Sequence, residues 1–173
     1  MNQEDQEKLN EQLIKATENS DLPLITFLIS KGADIHAKND YVLRYAASNG
    51  YLEIIKYLGE QGADIHTNND PLYCAAQRGY LKVVKYLVEQ DADIYANNDY
   101  ALRLSSFNGH LEIVQYFLLD CQMQIKQETK DWLIKNHQKE ILDLIEKRDL
   151  LLKLDKDITQ KDSVANLGKK VKI

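Results

Sequence analysis

Cysteine is scarce: only Cys74 and Cys121 occur in 173 residues. Two thiols cannot build a disulfide framework, and both sit in helical-looking apolar patterns, so they read as buried thiols of a reducing compartment. Two prolines and seven glycines exclude a collagen-like or low-complexity chain. Long apolar runs are missing as well. The stretch from Tyr116 to Leu119 is typical of the longest, far short of the roughly 20 residues that span a bilayer. The opening MNQEDQEKLNEQLIK has neither the basic start nor the apolar stretch of a secretory signal. These absences predict a cytoplasmic protein, not secreted and with no membrane span. Glycine-rich phosphate loops, HExxH, GxSxG and CxxC are absent too. No enzyme, cofactor or small-molecule substrate is expected.

What is present is charge, unevenly placed. Residues 147–173 carry eight Lys or Arg against four Asp or Glu, a balance of +4, so the net −5 of the whole leaves −9 on residues 1–146. An acidic body repels phosphate backbones, which disfavours nucleic acid as a partner of that body.

Internal similarity is the dominant signal. GADIHAKNDYVLRYAASNGYLEIIKYLGEQ (32–61), GADIHTNNDPLYCAAQRGYLKVVKYLVEQ (62–90) and DADIYANNDYALRLSSFNGHLEIVQYFLLD (91–120) align with periods of thirty and then twenty-nine; the first and third agree at fifteen of thirty positions. Each unit reads as two short antiparallel helices. Asp40, Asp70 and Asp99 stand where an N-cap is wanted, with Pro71 at a first helical position. Gly50, Gly79 and Gly109 supply a positive φ about eight residues later. A second helix then presents Leu52, Ile55 and Leu58 with their equivalents as an apolar face. So small a helix pair cannot bury that face alone, so neighbouring units must stack into one core.

The frame PLYCAAQRGYLKVVKYLVEQ preceded by GADI resembles the ankyrin repeat, with its Thr-Pro-Leu-His start, Ala-Ala pair, Gly turn and closing Gly-Ala-Asp. It departs in a joining segment about three residues shorter than the family's, a start kept only as Pro71 and Leu72, and Ser105 and Ser106 in place of the Ala pair. The short form with NDYALR is similar to ankyrin repeats of giant DNA viruses of amoebae. The resemblance implies an all-α solenoid of stacked helix pairs, with short loops in place of full β-hairpin fingers.

Five units are expected. A degenerate cap unit covers about 8–35, with Asp21 in place of the turn Gly; repeats cover about 36–66, 67–95 and 96–125; a degenerate C-terminal cap covers about 126–146. The basic tail 147–173 is predicted helical to about Leu154 and then frayed.

His36 and His66 recur at one repeat position and invite a metal reading. Adjacent helix pairs stack about 10 Å apart, whereas zinc needs its ligands at about 2 Å, so no metal site is expected. Tyr95 fills the third such position, and His110 reads as packing at the start of a second helix. Asp40 with Arg44, and Asp99 with Arg103, are spaced for i,i+4 ion pairs that stabilise locally, with a ligand-reading role for the two arginines as the alternative.

A stacked solenoid offers a long shallow face that suits a protein better than a metabolite, so an unidentified protein partner is expected, bound by a monomer. In the ankyrin family the contacting surface is the loop before helix one and that helix's exposed positions. Transferred to this chain, this implies Lys38, Asn39, Tyr41, Ser48 and Asn49 in the first unit, and Asn68, Asn69, Gln77 and Arg78 in the second. The third contributes Asn97, Asn98, Tyr100, Phe107 and Asn108. Phe107 replaces Ser48 and Gln77 of its neighbours, which marks it either as an exposed anchor or as a residue packed on the atypical C-terminal cap unit. Two competing readings are a tail-led attraction of Lys169, Lys170 and Lys172 to an anionic membrane surface, nucleic acid or acidic partner, and self-association of an imperfect cap through Leu150–Leu152 and Leu154.

Overall fold

The computed structural model describes residues 2–65, 71–136 and 138–170, with side chains through Thr159. Asp70, Asn68, Asn69 and His66 lie outside the described residues, as do the side chains of Lys169 and Lys170 and all of Lys172. The elements are α1 (Gln3–Glu18), α2 (Leu22–Ser30), α3 (Ala37–Asn49), α4 (Leu52–Glu60), α5 (Pro71–Arg78), α6 (Leu81–Glu89), α7 (Ala96–Phe107), α8 (Leu111–Gln115), α9 (Gln127–Lys135) and α10 (Lys139–Lys170). No strand occurs among the described residues. Odd-numbered helices pack on one another as an inner row, and each is backed by the even-numbered helix that follows it.

The core repeats because the sequence repeats. Leu43, Leu72 and Leu102 stand at one repeat position and are buried; Ile55, Val84 and Val114 do the same on the second helices. Burying each such side chain is worth roughly 1.5–3 kcal/mol. Small residues let the inner helices approach: Ala46 and Ala47, Ala75 and Ala76, Ser105 and Ser106 are all buried between them. The apolar stripes that no single pair could cover are closed by the neighbouring unit.

Turn chemistry follows the glycines. Gly50, Gly79 and Gly109 hold φ of +74°, +82° and +75°. The Tyr80 ring lies on Gly50 and the His110 ring on Gly79, and His110 Nε2 stands 2.9 Å from the Gln77 carbonyl. Each aromatic at the head of a second helix thus seals the turn of the unit before it. In the N-terminal cap unit the left-handed residue is Ser20 (φ 56°), not Asp21. Asp21 instead caps α2 by accepting the Leu24 amide at 3.0 Å, because its short carboxylate serves an N-cap better than a positive φ.

The finger segment is a left-handed turn. Lys38, Asn39 and Asp40 have φ of 53°, 57° and 57°, and Asn97, Asn98 and Asp99 have 50°, 58° and 58°. Asn and Asp tolerate this region better than other side chains. The expected ion pairs do not form. Arg44 Nε donates to the Asn39 carbonyl at 3.0 Å and Arg103 Nη2 to the Asn97 carbonyl at 3.0 Å. Asp40 pairs with His36 at 2.7 Å, and buried Asp99 accepts from Thr129 Oγ1 at 2.6 Å. The left-handed backbone exposes its carbonyls to the arginines, and neither aspartate makes a side-chain cap bond to the helix that follows.

Two irregularities shape the C-terminal end. Between its turn glycine and its closing residue (Gly109 to Met123) the third unit has one residue more than the first two (Gly50 to Ala63, Gly79 to Ala92), absorbed as a π-helical turn at Tyr116–Asp120 that continues α8. Ala33, Ala63 and Ala92 each bond the carbonyl five residues back, whereas Met123 bonds Phe117, six back. Beyond the cap, α10 runs unbroken past residue 146 to Lys170, further than the expected end near Leu154, with no proline to stop it. Its Arg148 is buried and donates to the Met123 carbonyl and to Asp149, which also meets Lys130 at 3.6 Å. The start of the tail is therefore part of the cap.

Candidate interaction surface

The inner row presents its outward-facing positions, half-buried or exposed, in ranks that cross the units. One rank is Arg44, Tyr73 and Arg103; the next is Ser48, Gln77 and Phe107; a third is Asn49, Arg78 and Asn108. Phe107 is 63% exposed, so it projects rather than packing on the cap. Gln77 and Arg78 are exposed, Ser48 half-buried. Asn49 and Asn108 are committed locally, each donating its amide to a carbonyl four residues back, Tyr45 and Leu104, at 2.8 Å. Orphan carbonyls at a helix end make that use of Asn routine.

The loop residues divide in the same way. Lys38 and Asn39 are exposed at the first left-handed turn, as are Asn97 and Asn98 at the third unit's. Tyr41 is half-buried, stacks on Tyr45 at 5.6 Å and donates to Glu18 at 3.0 Å. Burial, with that bond to Glu18, pushes its hydroxyl above the ordinary value. Tyr100 is exposed and meets Tyr73 edge-on at 5.2 Å.

Sequence reasoning missed the centre of this face. The Arg103 guanidinium lies 5.4 Å from the Tyr100 ring centre and 5.5 Å from that of Trp132, a cation held between two π faces. Trp132 belongs to the degenerate cap and stands 29 residues, one repeat period, beyond Arg103. The structure therefore joins Tyr73, Tyr100, Arg103 and Trp132, with Phe107 one helical turn further along α7. An arginine at i+3 from Tyr100 was the available signal.

Among the described residues, no group of three or more His, Cys, Asp or Glu is placed to hold a metal ion. Cys74, on α5, and Cys121, just past the π-helical turn, form no disulfide and are half-buried rather than fully buried. Burial pushes the Cys121 thiol up, outweighing its hydrogen bond with Tyr116. No described helix is long and apolar enough to cross a membrane.

Stacked antiparallel helix pairs, a glycine-closed turn in each and an exposed inner rank define a helical-repeat binding scaffold. A sequence profile of ankyrin repeats in three copies matches residues 13–98 and 43–131, and the chain belongs to the ankyrin-repeat family. Repeats of this family are generally protein–protein interaction modules and are typically non-catalytic scaffolds. No curated protein matches the chain.

Proposed function

We propose that this protein binds a partner protein on the inner-helix face running from α3 to α7, with Phe107 as anchor. One observation carries the reading: a phenylalanine 63% exposed at a repeat position that its neighbours fill with Ser48 and Gln77. Exposed aromatics that lose water on binding dominate interface energies. The short repeat's resemblance supports a viral source and action in a host cytoplasm.

The test is capture from cytosolic extract by the wild type and by the Phe107→Ala, Arg78→Ala double variant, read by mass spectrometry. A protein held by the wild type and lost by the variant supports the face. Identical captures refute it.

A second reading is favoured by α10. Leu150, Leu151 and Leu154 are 58%, 54% and 48% exposed, and Ile158 continues the stripe at 57%. Self-association through this stripe would give a dimer by sedimentation that Leu151→Lys, Leu154→Lys abolishes.

A further inference from the structure

We propose that the partner segment on this face is an extended acidic peptide, with carboxylates on Arg44, Arg78 and Arg103 and an apolar side chain on Phe107. It rests on the reading above and adds the chemistry of the ligand. Residues 1–146 are net −9, yet α3, α5 and α7 carry four cations, Lys38, Arg44, Arg78 and Arg103, against two acids. Asp40 is held by His36, and Asp99 is buried with one oxygen on Thr129, so neither carboxylate projects from the face. The face is thus locally positive in an acidic molecule.

The arginines are ready for carboxylates. Arg44 and Arg103 are each pinned by a turn carbonyl, and the Tyr100 and Trp132 rings hold the Arg103 guanidinium in place. Pre-orientation lowers the entropy lost on pairing, and guanidinium forks match carboxylates in geometry. Arg78 is exposed and forms no ion pair among the described residues. Arg44 and Arg103 occupy equivalent positions two units apart. At about 8–10 Å per packed helix pair that is roughly 16–20 Å, which an extended chain covers in about five or six residues. The ligand therefore carries acidic residues about that far apart, with its apolar side chain offset toward Phe107. A peptide is favoured over nucleic acid because it can place a few carboxylates on the arginines and leave the rest of its length uncharged, whereas a polyphosphate carries a charge at every unit into the surrounding acidic body.

The test pans random peptides of about 12 residues against the full chain at about 0.1 M salt, then measures affinity by fluorescence anisotropy for the best peptide and for a single-stranded oligonucleotide of about 20 nucleotides. Expected are Asp- and Glu-rich peptides with an aromatic or Leu, weakened about tenfold or more by Arg78→Glu and by Phe107→Ala, both exposed sites whose folding circular dichroism checks. No selection, selection without acidic bias, or tighter binding of the oligonucleotide overturns the proposal. If selection lacks acidic bias while the double variant still loses its captured protein, the face reading survives and only the acidic ligand falls. Acidic peptides indifferent to both substitutions refute both.

Discussion

The Tyr80 ring sits so close to Gly50 that a Cβ added there would lie 2.5 Å from it, whereas a Cβ on Gly109, at almost the same φ, would meet nothing within 4 Å. The two glycines separate what conformation costs from what contact costs. Alanine in the left-handed region costs roughly 1–2 kcal/mol at either site. At Gly50 the collision with Tyr80 adds about 1–3 kcal/mol. Gly109→Ala should lower the melting temperature by about 2–8 °C, and Gly50→Ala by visibly more, at roughly 2–4 °C per kcal/mol. Equal losses would show that the ring does not seal the turn.

Lys38 is the least suited of the three residues in its left-handed turn, having neither the short polar side chain of Asn39 nor that of Asp40. Lys38→Gly should stabilise the fold by about 0.5–1 kcal/mol. Arg44→Ala removes the bond to the Asn39 carbonyl and should cost about 1 kcal/mol. Thermal melts check both, and the opposite signs are the diagnostic.

Acid should weaken the junction of α10 with the cap. Burial tends to raise the Asp149 pKa, but the hydrogen bond and charge of Arg148, with Lys130 beside it, outweigh that and hold it below the ordinary carboxylate value. A lowered folded pKa contributes stability above the unfolded value, near 4, and that contribution fades as pH falls through the folded pKa. Asp149→Asn should therefore melt lower than the wild type at about pH 7, with the two curves converging toward about pH 3.

The extra residue of the third unit predicts an unusual tolerance. Deleting Leu119, exposed in the π-helical turn, restores the five-residue closure used by the other units. The deletion should cost less than about 1 kcal/mol, whereas deleting Lys56 from regular α4 swings buried Leu58 by about 100° off the face of Ile54 and Ile55 and should cost several kcal/mol. Paired melts of the two deletions decide this.

Most of the architecture was legible because each element is written several times. Gly50, Gly79 and Gly109 announced their turns, and Leu43, Leu72 and Leu102 their core rank. The errors fell where periodicity stops or where one side chain has two possible partners. Nothing in the spacing of Asp40 and Arg44 shows that the left-handed backbone offers carbonyls to the arginine while His36 takes the acid. Trp132 stands 29 residues beyond Arg103, one repeat period on, and only the decayed sequence of the cap around it hid the two as neighbours. Of the surface residues, exposure was foreseeable for Phe107, but the self-directed bonds of Asn49 and Asn108 follow from helix-end geometry that a repeat alignment does not contain.

The most direct test is hydrogen exchange on the full chain with and without the captured partner, read segment by segment by mass spectrometry. Binding on the inner face predicts new protection in α3, α5 and α7 and at the left-handed turns 38–40 and 97–99, with α10 unchanged. Protection confined to α10 would contradict the account.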